Sequence, residues 1–203
     1  MKQFRLAVIL CCIAAAIGLG VLVYVKGPAP KAPTTAAEGA LQIGGDFKLV
    51  DQDAKPVDQR LLKGKWSAVF FGFTYCPDVC PTTLQTLGAA VDQLGPKAKD
   101  LQIVFISVDP ERDTAPKLKA YLASPGFPKG VIGLTGTPDQ VKAAAKAYRA
   151  YFEKDGAGES YLVNHTSLVY LMNPEGQFSR VLAYGLSPDE NARQILDAMK
   201  AGS

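Results

Sequence analysis

The sequence predicts an α/β domain with a largely parallel sheet, preceded by one membrane-spanning helix. Two apolar runs predict the sheet: Ala68–Phe73, which is followed by apolar residues at helical spacing, and Leu101–Val108. Unbroken runs of this length are typical of strands that are buried on both faces. The third observation is an uncharged apolar stretch, Leu6–Val25, which predicts the helix in the membrane.

The N-terminal segment is predicted to be a retained anchor, residues 1–26. Lys2 and Arg5 precede the apolar stretch and Lys26 closes it. About 20 apolar residues span a bilayer at roughly 1.5 Å rise per residue. A cleaved signal peptide is the alternative, but its apolar core has about 7–15 residues and ends at small residues. Leu22–Val25 makes a poor cleavage site of that kind.

Positive charge before the apolar stretch favours a cytoplasmic N-terminus. We therefore expect a single-pass protein of the inner membrane, with its main domain on the periplasmic side if the source is bacterial. Residues 27–40 are rich in Pro and Ala without apolar periodicity, which predicts a linker that reaches roughly 40 Å when extended. Residues 41–203 then form the domain.

The charge distribution excludes a nucleic-acid role. Residues 1–40 hold four of the 22 basic residues and one of the 19 acidic residues. The domain therefore carries 18 of each and has no net charge. The basic character of the chain belongs to the anchor region, and no basic surface for nucleic acid is expected.

The domain is predicted to begin with a β-hairpin and a central strand. Asp46–Asp51 and Pro56–Val57 pair around a turn, Asp51–Lys55, that is rich in turn-forming Asp. The strand Ala68–Phe73 leads into a helix near Pro77, because proline needs no N–H at the first helical position. The run Leu101–Val108 supplies the next strand.

Two helices and a short strand are predicted after this second run. Ala115–Leu122 is a helix that follows the loop Asp109–Thr114. Val131–Leu134 is a short strand. A helix extends from Thr137 to Tyr148, because Thr before Pro is a typical helix start.

The chain ends in a predicted hairpin and helix. Ser167–Met172 is a strand, Asn173–Gly176 a turn, and Phe178–Tyr184 an antiparallel edge strand. The last helix begins at Ser187 with an acidic first turn and ends near Met199. This order predicts a thioredoxin-like fold with an N-terminal β-hairpin and an inserted strand-helix.

Two cysteines lie where the central strand meets its helix. Cys76 is expected near the N-cap, with Cys80 four residues on over the same face. Both sulfurs would point at the carboxyl end of a strand, where open α/β sheets place their chemistry. The helix terminus favours thiolates, which are nucleophiles and soft metal ligands. A structural disulfide, or two small buried apolar residues, is the alternative.

Three motifs resemble the Sco/SenC family of copper chaperones: F-F-G-F-T-Y-C-P-D-V-C-P (70–81), I-S-V-D-P-E-R-D-T (106–114) and N-H-T-S-L-V-Y-L (164–171). The resemblance covers 44–199. It implies that copper, as Cu(I) or Cu(II), is bound and delivered to the dinuclear copper site of cytochrome c oxidase. It also implies three partners: the oxidase subunit that holds this site, an upstream copper donor and a thiol reductant.

His165 is the only histidine in the chain. A single histidine is more often a surface or core residue, and Asn164–Thr166 is also a glycosylation sequon. In a thioredoxin-like sheet, however, the loop before the strand Ser167–Met172 faces the cysteines. Two thiolates and one imidazole suit low-coordinate Cu(I), whereas structural zinc prefers four ligands. The resemblance carries Cys76, Cys80 and His165 over as the copper ligands.

Two carboxylates also match positions of the family motifs. Asp109 is expected beside the metal, as a weak additional ligand or a supporting group, or else as a turn former before Pro110. Asp78 is expected either beside the metal or as a cap in the first turn of the helix.

The function that these residues predict is that of a metallochaperone rather than an enzyme. Redox state would control it, because a Cys76–Cys80 disulfide ligates copper poorly. One alternative is a thiol-disulfide reductase or thiol peroxidase, which needs both cysteines but has little need of His165. A second alternative is a copper- or redox-sensing module, which keeps all three residues and differs only in its partner.

Overall fold

The computed structural model describes residues 42–158 and 160–202. The predicted anchor, 1–26, and the predicted linker, 27–40, lie outside these residues. Within the described part of the chain, we find no helix with the length and apolarity needed to cross a membrane.

The strands of the described residues form two sheets. Their bounds are β1 (Lys48–Asp51), β2 (Pro56–Asp58), β3 (Trp66–Gly72), β4 (Leu101–Ser107), β5 (Ile132–Thr135), β6 (Phe152–Asp155), β7 (Leu162–His165), β8 (Val169–Met172) and β9 (Phe178–Leu182). Seven of them make one sheet in the order β2-β1-β5-β4-β3-β8-β9, and β6 pairs with β7 in a separate hairpin.

The centre of the large sheet is β3. It runs parallel to β4, with Phe70 opposite Phe105 and Gly72 opposite Ser107. It runs antiparallel to β8, with Phe70 opposite Val169. All seven residues of β3 are buried, so both of its faces are covered, as its continuous apolar run predicts. This mixed α/β arrangement is thioredoxin-like.

The described residues contain four α-helices: α1 (Val79–Gln93), α2 (Ala115–Leu122), α3 (Pro138–Ala147) and α4 (Pro188–Ala201). Helix α1 packs against α4. Thr137 and Gln140 form a reciprocal capping box at α3, and Ser187 accepts a hydrogen bond from the backbone N–H of Glu190 at α4. The polar residues before each proline therefore fix these helix starts where the sequence predicts them.

The structure corrects one prediction about local elements and adds a hairpin that was not predicted. The N-cap of α1 is Asp78 and its first helical residue is Val79 rather than Pro77, so Cys76 lies in the turn that precedes the N-cap. The backbone N–H of Cys76 donates to the Phe73 carbonyl at 3.2 Å, which closes that turn before the helix begins. The hairpin of β6 and β7 was not predicted, because most of its side chains are exposed and it lacks an apolar alternation.

Candidate metal centre

Three side chains converge at the end of β3. The ligand atoms of Cys76, Cys80 and His165 all lie within 4.8 Å of one another, and among the described residues they form the one such group of three or more. Cys76 belongs to the turn after β3, Cys80 to the first turn of α1, and His165 ends β7. The fold therefore brings a histidine to two thiols that precede it by more than 80 residues.

The turn between β3 and α1 presents both sulfurs on the same side. The backbone N–H of Cys80 donates to the Cys76 sulfur at 3.4 Å. Gly72, the last residue of β3, makes room for Cys80: a Cβ atom at position 72 would lie 2.7 Å from the Cys80 sulfur and 2.9 Å from the Phe105 ring. The position of the Cys80 sulfur thus depends on a glycine at 72.

The imidazole of His165 is oriented for coordination. Its Nδ1 lies 3.0 Å from the Thr166 carbonyl oxygen, which can only accept, so Nδ1 carries the proton. The lone pair of Nε2 then faces the Cys80 sulfur, 3.5 Å away. Phe70 and Phe73 meet the ring edge to face, with centroids at 6.1 and 5.7 Å. A fixed tautomer and aromatic walls are typical of a metal-ligating histidine.

The two thiols differ sharply in environment. Cys80 is fully buried, whereas Cys76 is partly exposed. A hydrogen bond from the Cys80 thiol lowers the pKa of Cys76 to about 4; burial opposes this effect, and the backbone N–H groups of Cys80 and Asp78 add to it. Burial raises the pKa of Cys80, and the neighbouring Cys76 sulfur raises it further. The pair therefore holds one thiolate and one thiol at neutral pH.

The two predicted carboxylates occupy different surroundings. Asp78 is the N-cap residue of α1, but its side chain makes no capping bond and accepts from the Thr82 hydroxyl at 3.2 Å. Asp109 is buried and accepts from the Tyr161 hydroxyl at 2.6 Å and from Arg112 Nε at 2.5 Å. Neither carboxylate belongs to the group of ligand atoms formed by the described residues.

Sequence reasoning missed Asp113, a fully buried carboxylate behind the cysteine turn. It accepts from the Thr74 N–H at 2.9 Å, the Thr74 hydroxyl at 2.6 Å and the Ser107 hydroxyl at 2.7 Å. Burial raises its pKa, and the hydrogen bonds from Thr74 and Ser107 oppose that rise. The signal was its place in the 106–114 motif, but a sequence does not reveal that Thr74 is its partner.

Comparison with known proteins identifies the family. The SCO1/SenC family model matches residues 35–200. "Protein SCO1 homolog 1, mitochondrial" of Arabidopsis thaliana is 44% identical over 153 residues, which are 74% of this chain and 45% of that protein. The chain spans about half the length of the first curated relatives that it matches.

Solved structures agree with this match. The crystal structure of Arabidopsis thaliana ScoI with copper bound is 40% identical, with a TM-score of 0.74 over 78% of this chain and 99% of that one. A second is BsSco, described as a member of the Sco family of cytochrome c oxidase assembly proteins with a disulfide switch. It is 26% identical, with a TM-score of 0.64, over 80% of this chain and 95% of that one. The chain therefore belongs to the SCO1/SenC family.

Proposed function

We propose that this protein binds one copper ion through Cys76, Cys80 and His165 and takes part in assembling the copper site of cytochrome c oxidase. The observation that carries the proposal is the convergence of two sulfurs and one imidazole nitrogen within 4.8 Å. Soft thiolates select Cu(I), and the imidazole also suits Cu(II). A set of three ligands leaves the metal accessible, which suits a protein that passes its cargo on.

The role in assembly rests on relatives. Arabidopsis ScoI has been solved with copper bound, and BsSco is described as belonging to a family of oxidase assembly proteins. In this proposal the acceptor is the copper-site subunit of the oxidase, and an upstream donor and a thiol reductant keep the dithiol loaded and reduced. The metal is cargo, so the protein acts as a metallochaperone rather than as an enzyme.

We also propose the cellular arrangement that the sequence predicts. Residues 1–26 anchor the protein in the inner membrane, and the linker 27–40 holds the domain on the periplasmic side. Support comes from the apolar stretch Leu6–Val25 and from the basic residues before it. A reporter that is active only outside the cytoplasm, fused after Ser203, should be active in the membrane fraction. Release of a soluble mature form would instead indicate a cleaved signal peptide.

Copper titration tests the proposed site. Reduced residues 41–203 should bind one copper ion per chain. They contain every core residue, from Phe47 to Met199, that the described part of the chain buries. Cys76→Ser should abolish tight binding, because it removes the partly exposed thiolate. In the full-length chain, Cys11→Ser is the matched control: it makes the same substitution within the predicted anchor, away from the proposed site, and should bind as wild type does. Stoichiometric copper retention by Cys76→Ser under reducing conditions would contradict the three-ligand site.

The asymmetry of the thiols favours a second candidate function, thiol-disulfide exchange. Cys76 combines exposure with a pKa lowered to about 4, as an attacking thiolate does. It would attack one sulfur of a substrate disulfide and release the other as a thiolate. Cys80, once deprotonated, would then attack the Cys76 sulfur, which releases the second substrate thiolate and leaves a Cys76–Cys80 disulfide. The dithiol supplies both electrons.

His165→Ala separates the two candidates, because the imidazole is neither nucleophile nor leaving group in thiol exchange. If copper delivery is the function, cells that carry this variant should lack oxidase activity at low copper and regain part of it when copper is added. Full oxidase activity of His165→Ala at every copper level, with loss in both cysteine variants, would favour the exchange reaction.

A further inference from the structure

A cluster of polar and aromatic side chains lies beside the metal centre without contributing a ligand. Arg112 donates from Nε to Asp109 at 2.5 Å, and Tyr161 donates its hydroxyl to the other oxygen of Asp109 at 2.6 Å. The guanidinium carbon of Arg112 lies 3.6 Å from the centroid of the Tyr161 ring. We refer to Asp109, Arg112 and Tyr161 as the Arg112 clamp. The side chain of Asp109 is fully buried and that of Arg112 is 13% exposed.

The clamp holds the segment that carries His165. Tyr161 directly precedes β7, and His165 is the last residue of β7. Among the described strands, β7 pairs with β6 and with no strand of the large sheet, so ladder hydrogen bonds do not fix its position there. The buried side chains of Tyr161 and Val163 attach it to the domain instead, and Tyr161 is tied to the loop after β4 through Asp109.

The same guanidinium also meets the segment that carries Cys76. Its carbon lies 4.5 Å from the ring centroid of Tyr75, the residue before Cys76. It lies 6.0 Å from the ring centroid of Phe73, whose ring packs edge to face on His165 at 5.7 Å. Arg112 thus contacts both the segment that carries His165 and the segment that carries Cys76. The distance between these segments must be fixed if the thiolates and the imidazole are to bind the same ion.

We propose that Asp109, Arg112 and Tyr161 are positioning residues that set the distance of His165 from the two sulfurs. This inference rests on the proposed copper site, and none of the three residues belongs to the group of converging ligand atoms. A buried ion pair that stacks on a ring allows little variation in the positions of its side chains, because moving a desolvated charge away from its partner is energetically costly. Groups that orient metal ligands from outside typically change metal affinity by about 10- to 100-fold when they are lost.

Tyr161→Phe tests the proposal, since it keeps the ring and removes only the hydroxyl that holds Asp109. Copper affinity of reduced residues 41–203 should fall by about tenfold. Tyr151→Phe is the matched control: Tyr151 is 58% exposed just before β6, its hydroxyl donates to Glu153, and its loss should leave affinity unchanged. In a His165→Ala background, Tyr161→Phe should have no further effect, because the clamp acts through His165. An equal loss in both backgrounds would overturn the proposal.

A second measurement does not depend on copper. In the reduced, metal-free domain, the NMR resonances of the His165 ring should shift in Tyr161→Phe and stay in place in Tyr151→Phe. If Tyr161→Phe does not fold, Arg112→Lys, which keeps the charge and loses the planar stack, replaces it in both measurements. If wild type binds no copper, the proposed function fails and the ring resonances alone decide on the clamp. Unshifted His165 ring resonances in the clamp variants would then refute the proposal that the clamp positions His165.

Discussion

Gly72→Ala should disturb the metal centre without removing a ligand. The added Cβ would lie 2.7 Å from the Cys80 sulfur, and 2.9 and 3.1 Å from two atoms of the Phe105 ring. Ordinary contacts need about 3.5–4.0 Å, so the sulfur or the strand must move by about 1 Å. A metal site tolerates about 0.2 Å in its ligand distances. We therefore expect copper affinity to fall by at least about tenfold.

The same change should lower the stability of the metal-free domain. Overpacking a filled core costs about 1–3 kcal/mol in the free energy of unfolding. Urea denaturation measures this cost, and chelator competition under reducing conditions measures the affinity. Gly88→Ala, the same substitution within α1, is the control: the atoms nearest to its Cβ belong to the side chain of Pro128, at 3.2 Å, and it should keep wild-type affinity.

A double-mutant cycle identifies the sulfur as the obstacle. In a Cys80→Ala background the contact at 2.7 Å no longer exists. Gly72→Ala should therefore lower the free energy of unfolding by less than it does in wild type. The expected coupling lies between about 0.5 and 3 kcal/mol. Unchanged copper affinity in Gly72→Ala, or a coupling of zero, would refute the reasoning.

Two further predictions follow from the thiols and from Asp113. The rate of Cys76 alkylation by iodoacetamide should be nearly constant between pH 6 and 8, because the pKa of Cys76 is lowered to about 4. The alkylation rate of an ordinary thiol rises roughly fifty- to a hundredfold over this range. Such a rise at Cys76 would contradict the lowered pKa. Thr74→Val should cost about 1–3 kcal/mol in urea denaturation, because a buried carboxylate loses a donor at 2.6 Å. Thr82→Val is its control, since the Thr82 hydroxyl bonds the exposed Asp78 and its loss should cost less than about 0.5 kcal/mol.

The parts of the fold that sequence predicts are those where one physical signal dominates. The continuous apolar runs predicted β3 and β4, because a strand that is buried on both faces has apolar residues at nearly every position. Thr137 and Ser187 predicted two helix starts through their hydroxyl caps. The start of α1 was predicted at Pro77, which suits a first helical position, but in the structure Pro77 lies in the turn before the N-cap residue Asp78.

The parts that sequence did not predict depend on partners far along the chain. The β6–β7 hairpin has mostly exposed side chains, and its strands are held by pairing rather than by an apolar pattern. Asp109 was expected beside the metal or in a turn. Asp109 does begin a turn, and one partner of its side chain, Arg112, is local. Its other partner, Tyr161, lies 52 residues away, and no local pattern connects Asp109 with Tyr161.

The exposure of the three proposed ligands bears on how copper could leave the site. Cys80 is fully buried, while Cys76 and His165 are partly exposed. An acceptor that displaces ligands one at a time can reach only the exposed ones, so Cys76 and His165 would exchange first and Cys80 would release the ion last. The hydrogen bond of His165 Nδ1 to the Thr166 carbonyl holds Nε2 toward the Cys80 sulfur, so the imidazole would be placed to rebind an ion held by Cys80. Under the proposed function, transfer would be reversible until an acceptor supplies enough ligands of its own, and the acceptor's ligand set would determine the direction of transfer.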